Sequence, residues 1–216
     1  MTTQSEQPSL PPIFTVGYGA RSLDQLAAVL RANAIEFLID VRTAPYSRYK
    51  PEFSKETLEG ALKTHGIRYL YMGDTLGGRP DDPTCYVDGK VDYGRLQARP
   101  YYQAGIARIQ TAFAQGRRVV LMCSEGRPEE CHRSKLIGAT LAGLGIPIAH
   151  IDENDELCTQ AQVQERLDGP QLGLFDEPLL TSRKRHARRR PGADAGPDVA
   201  GPENTGTEDP EDEDVN

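Results

Sequence analysis

Two short runs constrain this chain more than anything else in it. FLIDV at 37–41 and VVLM at 119–122 are apolar at almost every position, Asp40 being the exception. A strand with one wet face alternates polar and apolar residues. A run apolar throughout must be covered on both faces, as in a parallel sheet held between two helical layers. Three further runs, at 13–16, 67–71 and 146–151, read as strands of the same sheet.

The segments between them read as helices. Ser22 and Gln25 form a capping box before an apolar pattern at Leu23, Leu26, Ala27, Val29 and Leu30. Ser54 is a candidate N-cap for a helix running to about Thr64 that Gly66 ends, and 99–115 carries Ile106, Ile109 and Phe113 on one face before Gly116. The stretches 131–144 and 153–167 complete the set of expected helices. Residues 73–94, rich in Gly, Asp and Pro, read as a long irregular loop of the kind that is often functional. The expected fold class is α/β, a Rossmann-like three-layer fold with a mainly parallel sheet of about five strands.

Length and charge divide the chain into segments. Residues 1–12 are polar, end in Pro-Pro and lack an apolar signal core, so they are expected to be a disordered N-terminus. Residues 13–168 make the domain, and 169–182 a linker. Residues 183–216 read as a disordered tail, first basic and then acidic. From Arg183 to Arg190 there are six basic side chains and no acid; beyond them stand nine acids and no base. The folded part is therefore only mildly acidic and has no overall basic footprint for nucleic acid. No run is long and apolar enough to span a membrane. Four cysteines do not make a disulfide framework in a chain of 216 residues. The expected setting is the cytoplasm, with reduced thiols.

In open parallel sheets, ligands bind beyond the carboxyl ends of the strands, where the strand order reverses. That rule gathers Gly17–Arg21, Asp40–Ser47, the loop from Gly73 and the segment Cys123–Arg133 at one edge. The turn Gly17-Tyr18-Gly19 lacks the third glycine of a dinucleotide fingerprint and reads as a plain tight turn. The segment 123–133 carries most of the chemistry. Cys123 is either a thiolate nucleophile activated by guanidiniums and a helix start, or a small buried residue continuing its strand. Cysteine phosphatases and rhodaneses place an arginine six positions after the thiol. Here that position is Glu129, which weakens the nucleophile reading even though the run Asp40-Val41-Arg42 is similar to a rhodanese strand.

Cys123, Cys131 and His132, with Cys158, could be read as metal ligands. Seven intervening residues between the first two exceed the two to four of compact zinc sites, and no metal is expected. A Cys123–Cys131 disulfide switch is a further option. Arg133 in the first helical turn stands where a helix favours acid, so it calls for a ligand anion or for an internal carboxylate, Glu125 or Asp40. The resulting site has Asp40, Glu125 and His132 as candidate proton-transfer groups. Arg42, Ser47, Arg133, Tyr46, Gly77 and Gly78 are the candidate substrate contacts, and Cys123 and Cys131 the possible thiols. Aromatics in the loop, Tyr46, Tyr49 and Phe53, could stack on a base or simply pack it down. The residues name no cofactor.

Four stretches, TVGYGARSLDQLAAVL, LIDVRTAPYSRYKPEFSKETLEGALKTHGIRYLYMGDTLGG, LMCSEGRPEECHR and HID, carry two specific motifs: D-V-R-x-x-P-x-S and C-x-E-x-x-P-x-x-C-H-R. On these the chain resembles the bacterial and archaeal family called domain of unknown function 488, from about Ile13 to Asp152. The positions that the resemblance implies are Asp40, Arg42, Pro45, Ser47, Phe53, Leu76, Gly77, Gly78, Cys123, Glu125, Pro128, Cys131, His132 and Arg133. Gly19 departs from the Gly-x-Ser often found in that family's first turn. The resemblance implies a fold and a site, and leaves the reaction open.

Past the last helix, Gln171, Leu172, Leu174 and Phe175 resemble the Q-L-[Ser/Asp]-L-F pentapeptide by which bacterial proteins bind the DNA polymerase sliding clamp, with Gly173 the departure. The block from Arg183 to Arg190 could touch nucleic-acid phosphates. The leading expectation is a hydrolase or transferase acting on a nucleotide, nucleic acid or other anionic substrate and recruited to replication or repair. The alternatives are a non-catalytic clamp- or DNA-associated adaptor, and a thiol redox protein.

Overall fold

A computed structural model describes residues 10–168 and 181–182. The chain runs β1 (Ile13–Gly17), α1 (Leu23–Ala32), β2 (Phe37–Asp40), α2 (Lys55–Thr64), β3 (Arg68–Tyr71), α3 (Gly73–Leu76), β4 (Tyr86–Val87), β5 (Lys90–Val91), α4 (Tyr93–Gln97), α5 (Pro100–Ala114), β6 (Val119–Cys123), a π-helical segment Arg133–Gly138, α6 (Ala139–Gly143), β7 (Ile148–Ile151), β8 (Leu157–Thr159) and α7 (Gln160–Asp168). The main sheet has the order β3-β2-β6-β1-β7-β8, every pair parallel except the antiparallel β7–β8.

The apolar runs behave as their composition requires. Every residue of β1 and β6 is buried. Alternate side chains enter two separate cores, so the sheet is covered on both faces. Ile39, Val119 and Leu121 pack with Tyr102, Ile106 and Ile109 of α5 and with Leu136, Ile137 and Leu141. Leu38, Val120 and Met122 pack with Leu26 and Leu30 of α1 and Leu58 and Leu62 of α2. The capping box of α1 forms as read, Ser22 Oγ accepting from Gln25 N and Gln25 Oε1 from Ser22 N.

The structure corrects the sequence reading in three places. A sixth strand, β8, occupies part of the expected helix 153–167. Asp152 Oδ1 accepts from the amides of Asn154 and Glu156, and Asp155 takes φ +66°, so the chain reverses before a helix can start. The helix expected from Cys131 begins as a π-helix at Arg133. Residues 73–94 hold the short helix α3 and the β4–β5 hairpin. Ser54 is the N-cap of α2 as expected, though without a side-chain bond, its Oγ accepting from Ser47 N.

The far end of the expected linker is anchored: Ser182 N donates to Val91 O, and Val91 N to Ser182 Oγ. Because β6 lies between β1 and β2, consecutive strands leave a crevice at the carboxyl ends of these three. No helix among the described residues is long and apolar enough to cross a membrane. The expected N-terminus through residue 9, the clamp-like pentapeptide and the basic and acidic tail lie outside the described residues.

Candidate functional site

A cleft of about 590 Å³ opens at that crevice. Its wall takes Tyr18 from the end of β1, Arg42, Thr43 and Tyr46 from beyond β2, and Cys123 and Glu125 from the end of β6. Gly78 and Arg79 close one side, and Glu130, Cys131 and His132 another.

The loop after β6 is folded back on itself. Arg133, completely buried, donates from Nη1 to the Glu125 carbonyl and from Nη2 to the Gly126 carbonyl at 2.7 Å. A 3-10 turn, Pro128–Glu130, and the bond from Cys131 N to Pro128 O turn the chain round. The loop's end therefore returns to its start. Gly17 is required beneath it, since a Cβ there would run into the Glu125 carbonyl and the Arg133 guanidinium.

The result is a compact group of two thiols and an imidazole. His132 Nδ1 lies 3.7 Å from Cys123 Sγ and 3.7 Å from Cys131 Sγ. His132 Nε2 lies 3.1 Å from the Val41 carbonyl, and Gly78 packs so closely that a Cβ would come within 2.6 Å of His132 Cγ. The donor atoms of Cys123, Cys131 and His132 all lie within 4.8 Å of one another. Cys158 is elsewhere, its thiol donating to the His150 carbonyl. All four cysteines are free thiols.

Charge is shared unevenly in this group. A hydrogen bond from the Cys131 thiol, with the positive charge of His132, holds Cys123 well below its ordinary value against the opposing effect of burial. Burial first, and then the neighbouring Cys123, push Cys131 well above it. For His132, burial acts downward, but the charge of Cys123 and its hydrogen bond outweigh it and raise the imidazole.

The other expected site residues are distributed differently. Asp40 is fully buried and both its oxygens are taken: Oδ1 by Arg42 N and Nε, Oδ2 by Arg42 Nη2 at 2.6 Å and Tyr69 Oη at 2.7 Å. Arg42 also donates to the Phe53 carbonyl and sits 5.5 Å over the Tyr18 ring. It lines the cleft, and its Nη1 has no acceptor among the described residues.

Arg133 pairs with neither Glu125 nor Asp40 and does not line the cleft; loop carbonyls occupy it. Ser47 is buried, its Oγ accepting from Lys50 N. Gly77 is buried against Gly73 and Thr43, while Gly78 reaches the cleft. Tyr46 is 73% exposed and Glu125 is exposed.

Sequence reasoning missed Tyr18, Arg79 and Glu130 as cleft residues. Tyr18 follows Gly17 directly and stacks on Phe53 at 4.2 Å, and an aromatic in a tight turn at a strand end was the available signal.

The fold and site define a class: a parallel α/β protein with a thiol–imidazole cleft at the carboxyl edge of its sheet. The model of the family described as Domain of unknown function DUF488 matches residues 22–140. The chain belongs to that family. No curated protein and no solved structure matches it.

Proposed function

We propose that the chain is an enzyme of the hydrolase or transferase type that acts on an anionic substrate, a nucleotide or nucleic acid, in this cleft. The observation that carries the reading is the meeting of thiol, imidazole, carboxylate and guanidinium around one open cavity. Arg42 and Arg79 supply positive charge for the anion. The exposed ring of Tyr46 offers a face for a base. His132 and Glu125 are the groups placed to move a proton. Asp40 acts through Arg42, as a positioning residue. Arg133 holds the loop that carries Cys123 and Glu125.

The test is a mass-spectrometric screen of nucleotides, nucleosides and oligonucleotides for products. Turnover lost in Glu125→Gln and His132→Ala supports the proposal. Turnover indifferent to both removes catalysis from this cleft.

Recruitment to replication or repair through the sliding clamp is the second part of the proposal, supported by the sequence of Gln171, Leu172, Leu174 and Phe175. The adjoining block from Arg183 to Arg190 would add phosphate contacts that weaken steeply with salt. A clamp pull-down that survives Leu174→Ala with Phe175→Ala would defeat this part alone.

A second reading, a non-catalytic adaptor, is favoured by two observations. Asp40 and Arg42 satisfy each other, and Arg133 is spent on carbonyls. The same screen separates the two readings.

A further inference from the structure

We infer that Cys123, Cys131 and His132 form a binding site for a divalent transition metal of the zinc class, with an open coordination position on the cleft. The imidazole–thiol distances are those of a metal-ready set. Tetrahedral zinc with bonds of about 2.3 Å to sulfur and about 2.0 Å to nitrogen separates sulfur from nitrogen by about 3.5 Å. Here Nδ1 lies 3.7 Å from each sulfur.

The orientation of the ring is set from behind. The Val41 carbonyl accepts from Nε2, which fixes the ring and turns Nδ1, the nitrogen left for a metal, to the sulfurs. Cys131 Sγ accepts from the Arg133 amide at 3.5 Å, a contact that fixes where this sulfur stands. Two thiolates and an imidazole suit zinc and exclude magnesium and calcium, which take oxygen ligands.

Seven intervening residues do not forbid the site, because the loop does not run straight. Arg133 clamps it shut, so Cys131 returns to Cys123. Structural zinc sites are closed by four protein ligands, whereas three leave a position for water or substrate. All three donors line the cleft, so that position lies where a ligand enters. With metal bound, His132 is a ligand and proton transfer falls to Glu125; the use of the open position in chemistry therefore rests on the proposed function, and the binding of metal does not.

The test uses the full chain without a polyhistidine tag, reduced, titrated with Co²⁺ and then Zn²⁺. The expected result is one Co²⁺ per chain, with intense tetrahedral d–d bands and a thiolate-to-cobalt charge-transfer band, all displaced by one equivalent of Zn²⁺. Cys123→Ser and Cys131→Ser each lower the charge-transfer band, and His132→Ala weakens binding at least about tenfold. Cys85→Ser and Cys158→Ser leave the spectrum unchanged.

Absence of these bands in the reduced wild-type chain overturns the inference. So does their full persistence in Cys131→Ser, or a Cys123–Cys131 disulfide as the only change that the thiols undergo. Should a variant fail to fold, X-ray absorption of the zinc-loaded wild type decides: two sulfurs and one imidazole support the site, and any other donor count overturns it. A chain that binds zinc yet turns over no substrate keeps this inference and defeats the enzyme reading. Turnover by a chain without cobalt bands does the reverse.

Discussion

Asp40→Ala is the substitution whose cost the structure defines best. The carboxylate is fully buried and accepts from three nitrogens of Arg42 and the Tyr69 hydroxyl. Arg42 is 5% exposed. Removing the acid leaves a buried guanidinium with only the Phe53 carbonyl and a stacked tyrosine beside it. Breaking one side of a buried pair typically costs about 3–5 kcal/mol, because the remaining charge stays out of water. For a domain of this size that lowers Tm by about 10 °C.

Replacing both partners by apolar residues of similar volume, Asp40→Leu with Arg42→Met, removes the buried charge altogether. The double variant is therefore expected to recover most of the loss. Urea unfolding followed by circular dichroism measures all three chains. A single variant within about 1 kcal/mol of wild type, or a double variant no more stable than Asp40→Ala, would refute the account of a closed ion pair that positions Arg42.

Other outcomes follow from the same geometry. His150 is buried between Thr15 Oγ1 and Gln160 Oε1, and burial lowers its pKa to about 4. The unfolded chain binds this proton near its ordinary value of 6.5, so stability is full above that pH and falls as pH drops toward 4, by about 3 kcal/mol. His150→Gln should flatten that part of the urea-stability profile, and an unchanged slope would contradict the assignment. Gly60 is exposed inside α2, and a methyl group added there would meet nothing within 4 Å. Gly60→Ala should therefore gain about 0.5–1 kcal/mol, read by Tm. Gly78→Ala crowds the His132 ring and should lower cobalt affinity about 10–100-fold while circular dichroism stays native.

Much of the fold was legible because it rests on local chemistry. The apolar runs 37–41 and 119–122 required two covered faces, and Ser22 with Gln25 announced the start of α1. The switch-point rule also placed the cleft. What escaped the sequence depends on non-local geometry. β8 pairs along β7 through only three residues, too few to show a period. Ser182 returns to Val91 across 91 positions.

The site was legible in residue type more than in role. Asp40 and Arg42, two residues apart, read in the sequence as groups facing a ligand, and the fold turns them on each other. The partners of Arg133 are backbone carbonyls, which carry no mark in a sequence. A residue count also misjudges Cys123 and Cys131, because the gap between them closes only when Arg133 draws the loop round. The fold thus joins His132 to the two thiols, and leaves Arg133 to hold the loop.

The central claim is that this thiol–imidazole group at the end of β6 is the working centre of the protein. Rescue of a deletion strain tests it most directly, with variant levels matched by immunoblot. Wild type and Cys158→Ser are expected to restore the deletion phenotype, and Cys123→Ser and His132→Ala to leave it in place. Equal rescue by all four chains would contradict the claim.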